Sequence, residues 1–298
     1  MDKNTIKFLS DKGCKITEGR HLSELCSFRI GGPADFFIEI PHGNALSAFL
    51  NAAGETKTDF FVIGGGTNIL FPDAGYRGVI VKLTGDFEKI SIQNGILSCG
   101  AGANLSSVVA FAAGNSLSGL ECCAGIPGTA GGAVFGNAGS KDKWIGDCVE
   151  SVEIYKNGKK ELIDNNKIGF EYRKTALEGC IVSKINFSLK KEAGNDILKE
   201  VSDSIEKRRK TQPLSMPNAG CIFKNPDGLS AGKLIEDAGL KGKKKGGDNG
   251  AQISEIHGNF IVNAGKAKAI DVLDLIYAAR KGVKEKFNID LELEIKVM

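Results

Sequence analysis

The sequence predicts an α+β protein, and three observations support that fold class. Short apolar runs bounded by turn-forming residues recur between residues 36 and 187, which is typical of strands. Segments 196–210 and 270–287 instead place apolar residues at helical spacing. The character of the chain changes just before the first of these helices. We therefore expect one domain of two α+β lobes at 1–193 and a smaller α/β domain at 194–298.

Local patterns place the individual strands. The apolar run at 59–63 ends in three glycines, which predicts a buried strand that enters a tight loop. Asn157 and Gly158 separate two strand-like runs and favour a hairpin turn at 156–159. Strands are accordingly expected at 36–40, 59–63, 79–83, 97–99, 151–155, 160–163, 181–187 and 291–297.

Helices are predicted from caps and from one-sided apolar faces. Asn104 is a good N-cap for a helix that runs to about Ala113, and a shorter helix is expected at 45–53. The residues expected on buried faces are Leu105, Val108, Val109 and Ala112 in the helix capped by Asn104, Ile197, Leu198, Val201 and Ile205 in the helix at 196–210, and Val272, Ile276, Ala279, Val283 and Phe287 in the helix at 270–287.

Composition narrows the class of protein. The chain has 298 residues, and its 39 basic and 36 acidic residues leave a net charge of +3, which gives no support to a nucleic-acid partner. No apolar run reaches the roughly 18 residues that span a bilayer, and no signal-peptide pattern opens the chain. The eight cysteines have no metal-ligand spacing. We expect a cytoplasmic monomer with reduced thiols, no metal site and no membrane partner.

Two glycine-rich loops could hold a phosphate-bearing ligand. Residues 64–68, Gly-Gly-Gly-Thr-Asn, follow a predicted strand, and successive glycines let backbone N–H groups face a pyrophosphate. A plain tight turn is the alternative interpretation. Residues 125–132 form a second such loop and lead to Asn137. Because the pair lacks a Rossmann fingerprint, it favours a large dinucleotide on a different fold, and flavin adenine dinucleotide (FAD) is the natural candidate.

Cys221 follows a glycine in a predicted turn, a setting that presents a side chain to a ligand. A thiol with an ordinary pKa of about 8.5 can act as an acid near neutral pH. A buried, inert cysteine is the alternative. The other motifs of the chain decide between the two.

Seven motifs follow one another along the chain: SFRIGGPAD at 27–35, GGGTN at 64–68, GIPGTAGG at 125–132, FEYR at 170–173, AGCIFKNP at 219–226, AGKLIEDAG at 231–239 and FIVNAG at 260–265. Each is weak alone, but in this order they resemble the UDP-N-acetylenolpyruvoylglucosamine reductase (MurB) family. The resemblance runs from about residue 20 to the end of the chain.

The resemblance implies a fold and an activity. The fold would be an FAD-binding domain of the PCMH/vanillyl-alcohol-oxidase type with a smaller substrate-binding domain, whose last strand returns to an active site between the two. The activity would belong to peptidoglycan synthesis. NADPH would reduce FAD, and FAD would reduce UDP-N-acetylenolpyruvoylglucosamine to UDP-N-acetylmuramate.

The same resemblance assigns roles to individual residues. Arg173 matches the arginine that holds the substrate carboxylate, Glu294 matches a glutamate that assists there, and Cys221 stands where many members have a proton-donating serine. The residues implied at the substrate are Lys224, Asn225, Lys241 and His257. The residues implied at the cofactor are Arg29, Gly64, Gly65, Gly66, Thr67, Asn68, Gly125, Ile126, Pro127, Gly128, Thr129, Gly131, Gly132 and Asn137.

Each role has a simpler alternative. Arg173 could be a surface ion-pair partner, Glu294 a solvated strand residue and His257 a structural histidine. For the whole protein, two alternative functions are a flavin-dependent oxidase of the same fold and a nucleotide- or RNA-binding module that uses the lysines at 241–245. The near-neutral charge and the lack of interleaved aromatic residues disfavour the binding module.

Three features depart from the family pattern. Only 47 residues lie between Arg173 and Cys221, which leaves no room for the tyrosine-bearing loop of one family subtype and favours the other. The basic stretch at 241–245 is interpreted either as a solvated loop or as a contact for the UDP phosphates. Residues 141–144, which end in Trp144, replace a small glycine-rich run. Tyr172 is expected to pack beside Arg173.

Overall fold

The computed structural model describes residues 1–140, 143–156 and 158–298. The α-helices lie at Lys3–Asp11 (α1), Gly43–Thr56 (α2), Leu105–Gly114 (α3), Ala130–Phe135 (α4), Asn165–Ile168 (α5), Gly194–Thr211 (α6), Ala231–Asp237 (α7) and Ala269–Phe287 (α8). Short 3-10 helices lie at Leu22–Glu24, Gly85–Glu88, Glu121–Cys123 and Ile145–Asp147.

The strands are short and numerous, and together with the helices they confirm the α+β class. They lie at Lys15–Glu18 (β1), Ala34–Ile40 (β2), Phe60–Ile63 (β3), Ile69–Leu70 (β4), Tyr76–Leu83 (β5), Ile90–Gln93 (β6), Ile96–Gly100 (β7), Leu117–Ser118 (β8), Gly139–Ser140 (β9), Lys143–Trp144 (β10), Val149–Lys156 (β11), Lys159–Asp164 (β12), Ile181–Phe187 (β13), Lys190–Lys191 (β14), Asn218–Cys221 (β15), Lys244–Lys245 (β16), Ala251–Ile253 (β17), Phe260–Asn263 (β18) and Lys296–Val297 (β19).

The chain divides into two compact units, and each is made of several segments. The first unit comprises Met1–Glu18, Asp35–Gly65 and Arg77–Glu206. The second comprises Gly19–Ala34, Gly66–Tyr76 and Lys207–Met298. Two early segments thus belong with the C-terminal part of the chain. The functional assignment of 1–193 to a cofactor and 194–298 to a substrate stays a prediction.

The first unit contains two larger sheets. In the described part of the chain, one sheet has the order β1-β2-β5-β3 and the other has the order β12-β11-β13-β7-β6. β11 and β12 pair antiparallel as a hairpin in which Lys156 lies opposite Lys159, as the sequence predicted. Asn157 of the predicted turn lies outside the described residues.

One continuous apolar core fills the first unit. All four residues predicted on the face of α3 are buried in it, and Asn104 caps that helix by accepting a hydrogen bond from the Ser106 N–H at 3.0 Å. In α6, Ile197 is buried, but Leu198 is 54% exposed, so its predicted burial is wrong. The core-facing stripe of α6 continues through the half-buried Val201 and Ile205 at intervals of four residues, and Leu198 lies beside this narrow stripe.

The second unit is built on an antiparallel sheet with α8 against it. Within the residues described, the sheet has the order β15-β18-β17-β16, and α8 packs on β17 and α7. Val272, Ile276, Ala279 and Val283 of α8 are buried as predicted, whereas Phe287 is half-buried. Part of the basic stretch at 241–245, for which the sequence left a solvated loop and a phosphate contact open, forms the short, exposed edge strand β16.

The predicted final strand at 291–297 is wrong over most of its length. Leu293 bridges to Phe223, and then the N–H groups of Glu294 and Ile295 both donate to the Ile222 carbonyl, at 2.9 and 3.3 Å. The chain bends at Ile295, and only β19 follows, paired in parallel with β4. The alternating pattern is real, but the segment changes its pairing partner halfway, which breaks the strand.

Buried polar contacts tie the early segments of the second unit to its C-terminal part. Asn263 is 4% exposed, and its Nδ2 donates to the Phe28 carbonyl at 3.0 Å while its Oδ1 accepts from the N–H groups of Gly265 and Ala267. Both carboxylate oxygens of Asp73 accept from the Ala269 N–H at the first turn of α8. A carboxylate at a helix N-terminus satisfies an otherwise unpaired donor.

The cysteines are held as thiols in this structure. Burial raises the pKa of the Cys14 thiol to about 11 and that of the Cys99 thiol to about 12. Among the helices of the described residues, none combines the length and the apolar character needed to cross a bilayer.

Replacing Asn263 should destabilise the second unit. Asn263→Ala leaves the Phe28 carbonyl and two N–H groups without their partner, so we expect the free energy of unfolding to fall by about 2 to 4 kcal/mol in chemical denaturation. Asn115→Ala is the control, because the exposed Asn115 side chain donates to the Phe111 carbonyl one helical turn away. Equal effects of the two changes would contradict this account.

Candidate active site

The two glycine-rich loops meet in the first unit. A Cβ built on Gly64 would lie 2.5 Å from the Thr129 hydroxyl oxygen, so a larger residue at position 64 would force the Thr129 side chain to move. Gly65 belongs to the same unit, whereas Gly66, Thr67 and Asn68 belong to the second. The predicted pair of loops is therefore one local structure at Gly64 and Thr129. It is built of glycine and small side chains, as the pyrophosphate of FAD requires, and the residues fit this cofactor.

The second loop is fixed by backbone hydrogen bonds to the start of α3 and to the segment before it. Asn104 and Thr129 form an antiparallel bridge, the Gly128 carbonyl accepts from the Leu105 N–H, and the Gly131 N–H donates to the Ala101 carbonyl. The Thr129 hydroxyl caps α4 by accepting from the Gly132 N–H at 3.3 Å. Glycines disfavour helices, so α4 escaped prediction, although Thr129 was an available N-cap signal.

Gly66 needs its small size for contacts within the second unit. It has a φ of +62°, and a Cβ there would lie 2.7 Å from the Cys26 Cα. Its carbonyl accepts from the Ser27 N–H at 3.0 Å. Arg29, two residues after Ser27, also has a positive φ of 55°. Its side chain is exposed, although both of its sequence neighbours are buried. A non-glycine residue in this conformation is held by its surroundings at a cost of about 1–2 kcal/mol.

Arg173 is carried by a tight turn in the first unit. Glu171 and Lys174 bridge across the turn, and Arg173 between them has a φ of 57°. Asn137, which is 4% exposed and has a φ of 42°, donates from Nδ2 to the Glu171 carbonyl at 2.9 Å. The Arg173 guanidinium donates to the carbonyl oxygens of Asn137, at 3.5 Å, and Gly139, at 3.3 Å. The structure therefore brings together two residues that the sequence assigned to different ligands.

Cys221 and Glu294 are neighbours in the second unit. The Ile222 carbonyl, next to Cys221, accepts from the Glu294 N–H, and the Asn68 side chain donates to the Glu294 carbonyl at 3.1 Å. Cys221 and Glu294 are both half-buried. Asn68 thus holds the segment that carries Glu294, a contact that the motif alone did not indicate.

Asn259 braces the segment that carries Cys221, and sequence reasoning missed it. This residue is 2% exposed, and its amide pairs with both backbone groups of Phe223: Oδ1 accepts from the N–H at 2.9 Å, and Nδ2 donates to the carbonyl at 2.7 Å. β15 pairs irregularly with β18 between Asn218 and Cys221, and the Asn259 side chain binds the backbone at Phe223, just beyond that irregular stretch. Its place beside the FIVNAG motif was the available signal.

The four predicted substrate residues are engaged within the second unit. Lys224 pairs with Glu292, Lys241 lies 3.5 Å from Glu236, and the Asn225 side chain accepts from the Ala231 N–H at the start of α7. His257 accepts a hydrogen bond at Nδ1 from the Asn259 N–H at 3.2 Å, which places its neutral-form proton on Nε2. Burial, and then the nearby Lys241, lower the pKa of His257.

Gly131 provides a direct test of the packing of the second loop. Gly131→Ala places a Cβ 2.7 Å from the Ala101 Cβ, so we expect a loss of about 2 to 3 kcal/mol in the free energy of unfolding. Gly114→Ala is the matched control, because no described atom outside its own helix lies within 4 Å of a Cβ built there. That change should be neutral or stabilise by up to about 1 kcal/mol. Chemical denaturation compares the two, and a harmless Gly131→Ala would contradict the proposed packing.

Two family models match the chain. The FAD binding domain matches residues 34–161, and the UDP-N-acetylenolpyruvoylglucosamine reductase C-terminal domain matches residues 212–298. The UDP-N-acetylenolpyruvoylglucosamine reductase of Carboxydothermus hydrogenoformans is 41% identical, with 100% of this chain and 99% of that protein covered. UDP-N-acetylenolpyruvoylglucosamine reductase 2 of Symbiobacterium thermophilum is 39% identical, with 100% and 96% covered.

Solved structures agree with these matches. The crystal structure of the reductase from Thermus caldophilus superposes with a TM-score of 0.82 at 36% identity, covering 95% of this chain and 98% of that one. A chitooligosaccharide oxidase, at 14% identity and a TM-score of 0.50, covers 63% of this chain and 44% of its own and shares the fold alone. The predicted fold of the FAD-binding part and the class of FAD-dependent oxidoreductase are confirmed. The chain belongs to the UDP-N-acetylenolpyruvoylglucosamine reductase family.

Proposed function

We propose that this chain uses NADPH and FAD to reduce UDP-N-acetylenolpyruvoylglucosamine to UDP-N-acetylmuramate in peptidoglycan synthesis. The observation that carries the proposal is the match, along the whole chain, to a reductase named for that substrate at 41% identity.

We also propose that the protein acts as a monomer in the cytoplasm, which gel filtration and cell fractionation would test.

The glycine-rich loops are the proposed FAD site. Gly64, Gly65 and the loop from Gly125 to Gly132 would offer backbone N–H groups to the pyrophosphate, since the close approach at Thr129 leaves little room for larger side chains. Arg29, Gly66, Thr67, Asn68 and Asn137 complete the proposed set. Bound FAD would accept a hydride from NADPH and deliver a hydride to the vinyl carbon of the substrate.

Arg173 is proposed to bind the substrate carboxylate. Reduction adds a hydride to the terminal vinyl carbon and a proton to the carbon that bears the carboxylate. Between the two additions, negative charge collects on the carboxylate as an enolate. A guanidinium can donate to both carboxylate oxygens and stabilise that charge. The turn from Glu171 to Lys174 supports this role, because it holds Arg173 in one backbone conformation.

Cys221 is proposed as the proton donor, with Glu294 assisting at the carboxylate. The S–H bond breaks as the new C–H bond forms, and the thiolate regains its proton from solvent. A thiol is a stronger acid than the serine hydroxyl found in many family members, so a cysteine in place of that serine keeps the ability to donate a proton. Glu294 is half-buried, unlike the exposed Glu292, and this difference supports a role other than that of a solvated strand residue.

The proposed substrate contacts are Lys224, Asn225, Lys241 and His257. Lys224 and Lys241 already have carboxylate partners, so each would share or exchange that partner on binding a phosphate. His257 with its lowered pKa would contact the substrate as a neutral donor through Nε2.

Removing the thiol separates the two half-reactions. Cys221→Ala should leave the reduction of bound flavin by NADPH within about twofold of wild type and slow the reduction of the enolpyruvyl substrate by about 10²- to 10⁴-fold. Cys221→Ser should recover much of that loss. Stopped-flow absorbance measures each half-reaction, and Cys180→Ala, which removes another half-buried thiol, is the control. Equal loss in both half-reactions would rule out the donor role.

The lowered pKa of His257 predicts a pH dependence of stability. Its pKa is lower in the folded than in the unfolded protein, so the unfolded state binds more protons, and stability is lost as the pH falls below about 6.5 toward the lower pKa of the folded state. His257→Gln should therefore lose less stability than wild type between about pH 8 and pH 5.5. Denaturation at the two pH values measures this, with exposed His21→Gln as the control. A His257→Gln slope as steep as that of wild type would be the contrary result.

A further inference from the structure

Trp144 is the only tryptophan of the chain, and it lies in the run that departs from the family pattern. It is half-buried on β10 and pairs with Gly139 of β9. Gly139 has no room for a side chain, because a Cβ there would lie 2.8 Å from both the Cα and the ring of Trp144. Lys141 and Asp142, between the two strands, lie outside the described residues. The hairpin thus fixes the ring close to the Gly139 backbone.

The Arg173 guanidinium lies against this hairpin. Its central carbon is 5.1 Å from the centre of the Trp144 ring and 5.5 Å from that of Tyr172. The two rings touch edge to face, with centroids 5.4 Å apart. The guanidinium also donates to the Gly139 carbonyl at 3.3 Å. Tyr172 packs beside Arg173 as predicted, but Trp144 is the nearer ring and belongs to a different segment.

These contacts favour a role in holding the arginine over a role in the core. Tyr172 is 40% exposed and Trp144 is half-buried, so this aromatic pair lies at the edge of the unit and adds little to the apolar core. Aromatic rings attract a guanidinium placed near their faces, and they restrict the rotamers of a long, flexible side chain. A carboxylate that binds through two oxygens needs the planar guanidinium in one orientation.

We propose that Trp144 is a positioning residue that orients the Arg173 guanidinium toward the carboxylate of the enolpyruvyl substrate. The inference rests on the proposed role of Arg173. Trp144 acts through the arginine, so its removal should weaken steps that need the substrate carboxylate and spare the reduction of flavin by NADPH.

Three substitutions in the holoenzyme test the inference. Trp144→Leu keeps much of the volume without an aromatic face, and it should lower kcat/KM for the enolpyruvyl substrate about tenfold, mainly through KM. Trp144→Phe restores an aromatic ring and should stay within about threefold of wild type. Phe8→Ala is the matched control, since Phe8 is an exposed ring with Lys12 5.6 Å from its centre. That variant should match wild type.

The outcomes separate the inference from the proposed function. Arg173→Lys should impair substrate reduction; if it does and Trp144→Leu does not, the inference alone fails. If Arg173→Lys reduces the substrate normally, the proposed role of Arg173 fails and the inference with it. If Trp144→Leu slows flavin reduction as much as substrate reduction, Trp144 has only a structural role.

A spectroscopic measurement covers the case in which Trp144→Leu does not fold. All tryptophan emission comes from Trp144, so Arg173→Ala should change its intensity or wavelength in the holoenzyme, whereas Lys12→Ala should not. Titration of the wild-type holoenzyme with UDP-N-acetylmuramate, which keeps the carboxylate, should also change the emission. Unchanged emission in both experiments would overturn the inference.

Discussion

Buried asparagine amides hold the irregular segments that carry the candidate catalytic residues. Asn259 pairs with both backbone groups of Phe223, beside Cys221, and Asn137 donates to the turn that carries Arg173. Both amides are nearly inaccessible to solvent, and a buried polar group that loses its partner costs about 1–3 kcal/mol. These hydrogen bonds therefore stabilise irregular backbone, which places the side chains of Cys221 and Arg173 differently from a regular strand or helix. Arg173, in the turn to which Asn137 donates, has a positive φ of 57°.

Regular elements could be predicted from the sequence because their signals are local. The strand at 181–187 and the cap at Asn104 depend on neighbouring residues alone, and both are confirmed. The errors arose where distant segments decide. The segment after Leu291 changes its pairing partner at Ile295, and Leu198 lies just outside a stripe whose width is set by the core. The spacing of apolar residues along the chain predicts neither the change of pairing partner nor the exposure of Leu198.

The candidate site was predicted residue by residue from motifs, but the contacts between those residues were not. Asn68 and Asn137 were assigned to the cofactor, yet they hydrogen-bond to the segments that carry Glu294 and Arg173. In the basic stretch, Lys244 and Lys245 are exposed and each has a carboxylate within 3.2 Å, which favours the solvated interpretation for these two lysines, whereas Lys241 stays a proposed substrate contact. Ion pairs of this kind depend on the fold and have no signature in sequence.

The central claim is that the protein carries electrons from NADPH, through flavin, to an enolpyruvyl ether. An anaerobic titration of the purified holoenzyme tests it most directly. NADPH should bleach the flavin absorbance, and UDP-N-acetylenolpyruvoylglucosamine should restore it with one equivalent per flavin, while UDP-N-acetylglucosamine should not. A protein that binds no flavin, or a bleached flavin that the enolpyruvyl substrate leaves unchanged, would contradict the account.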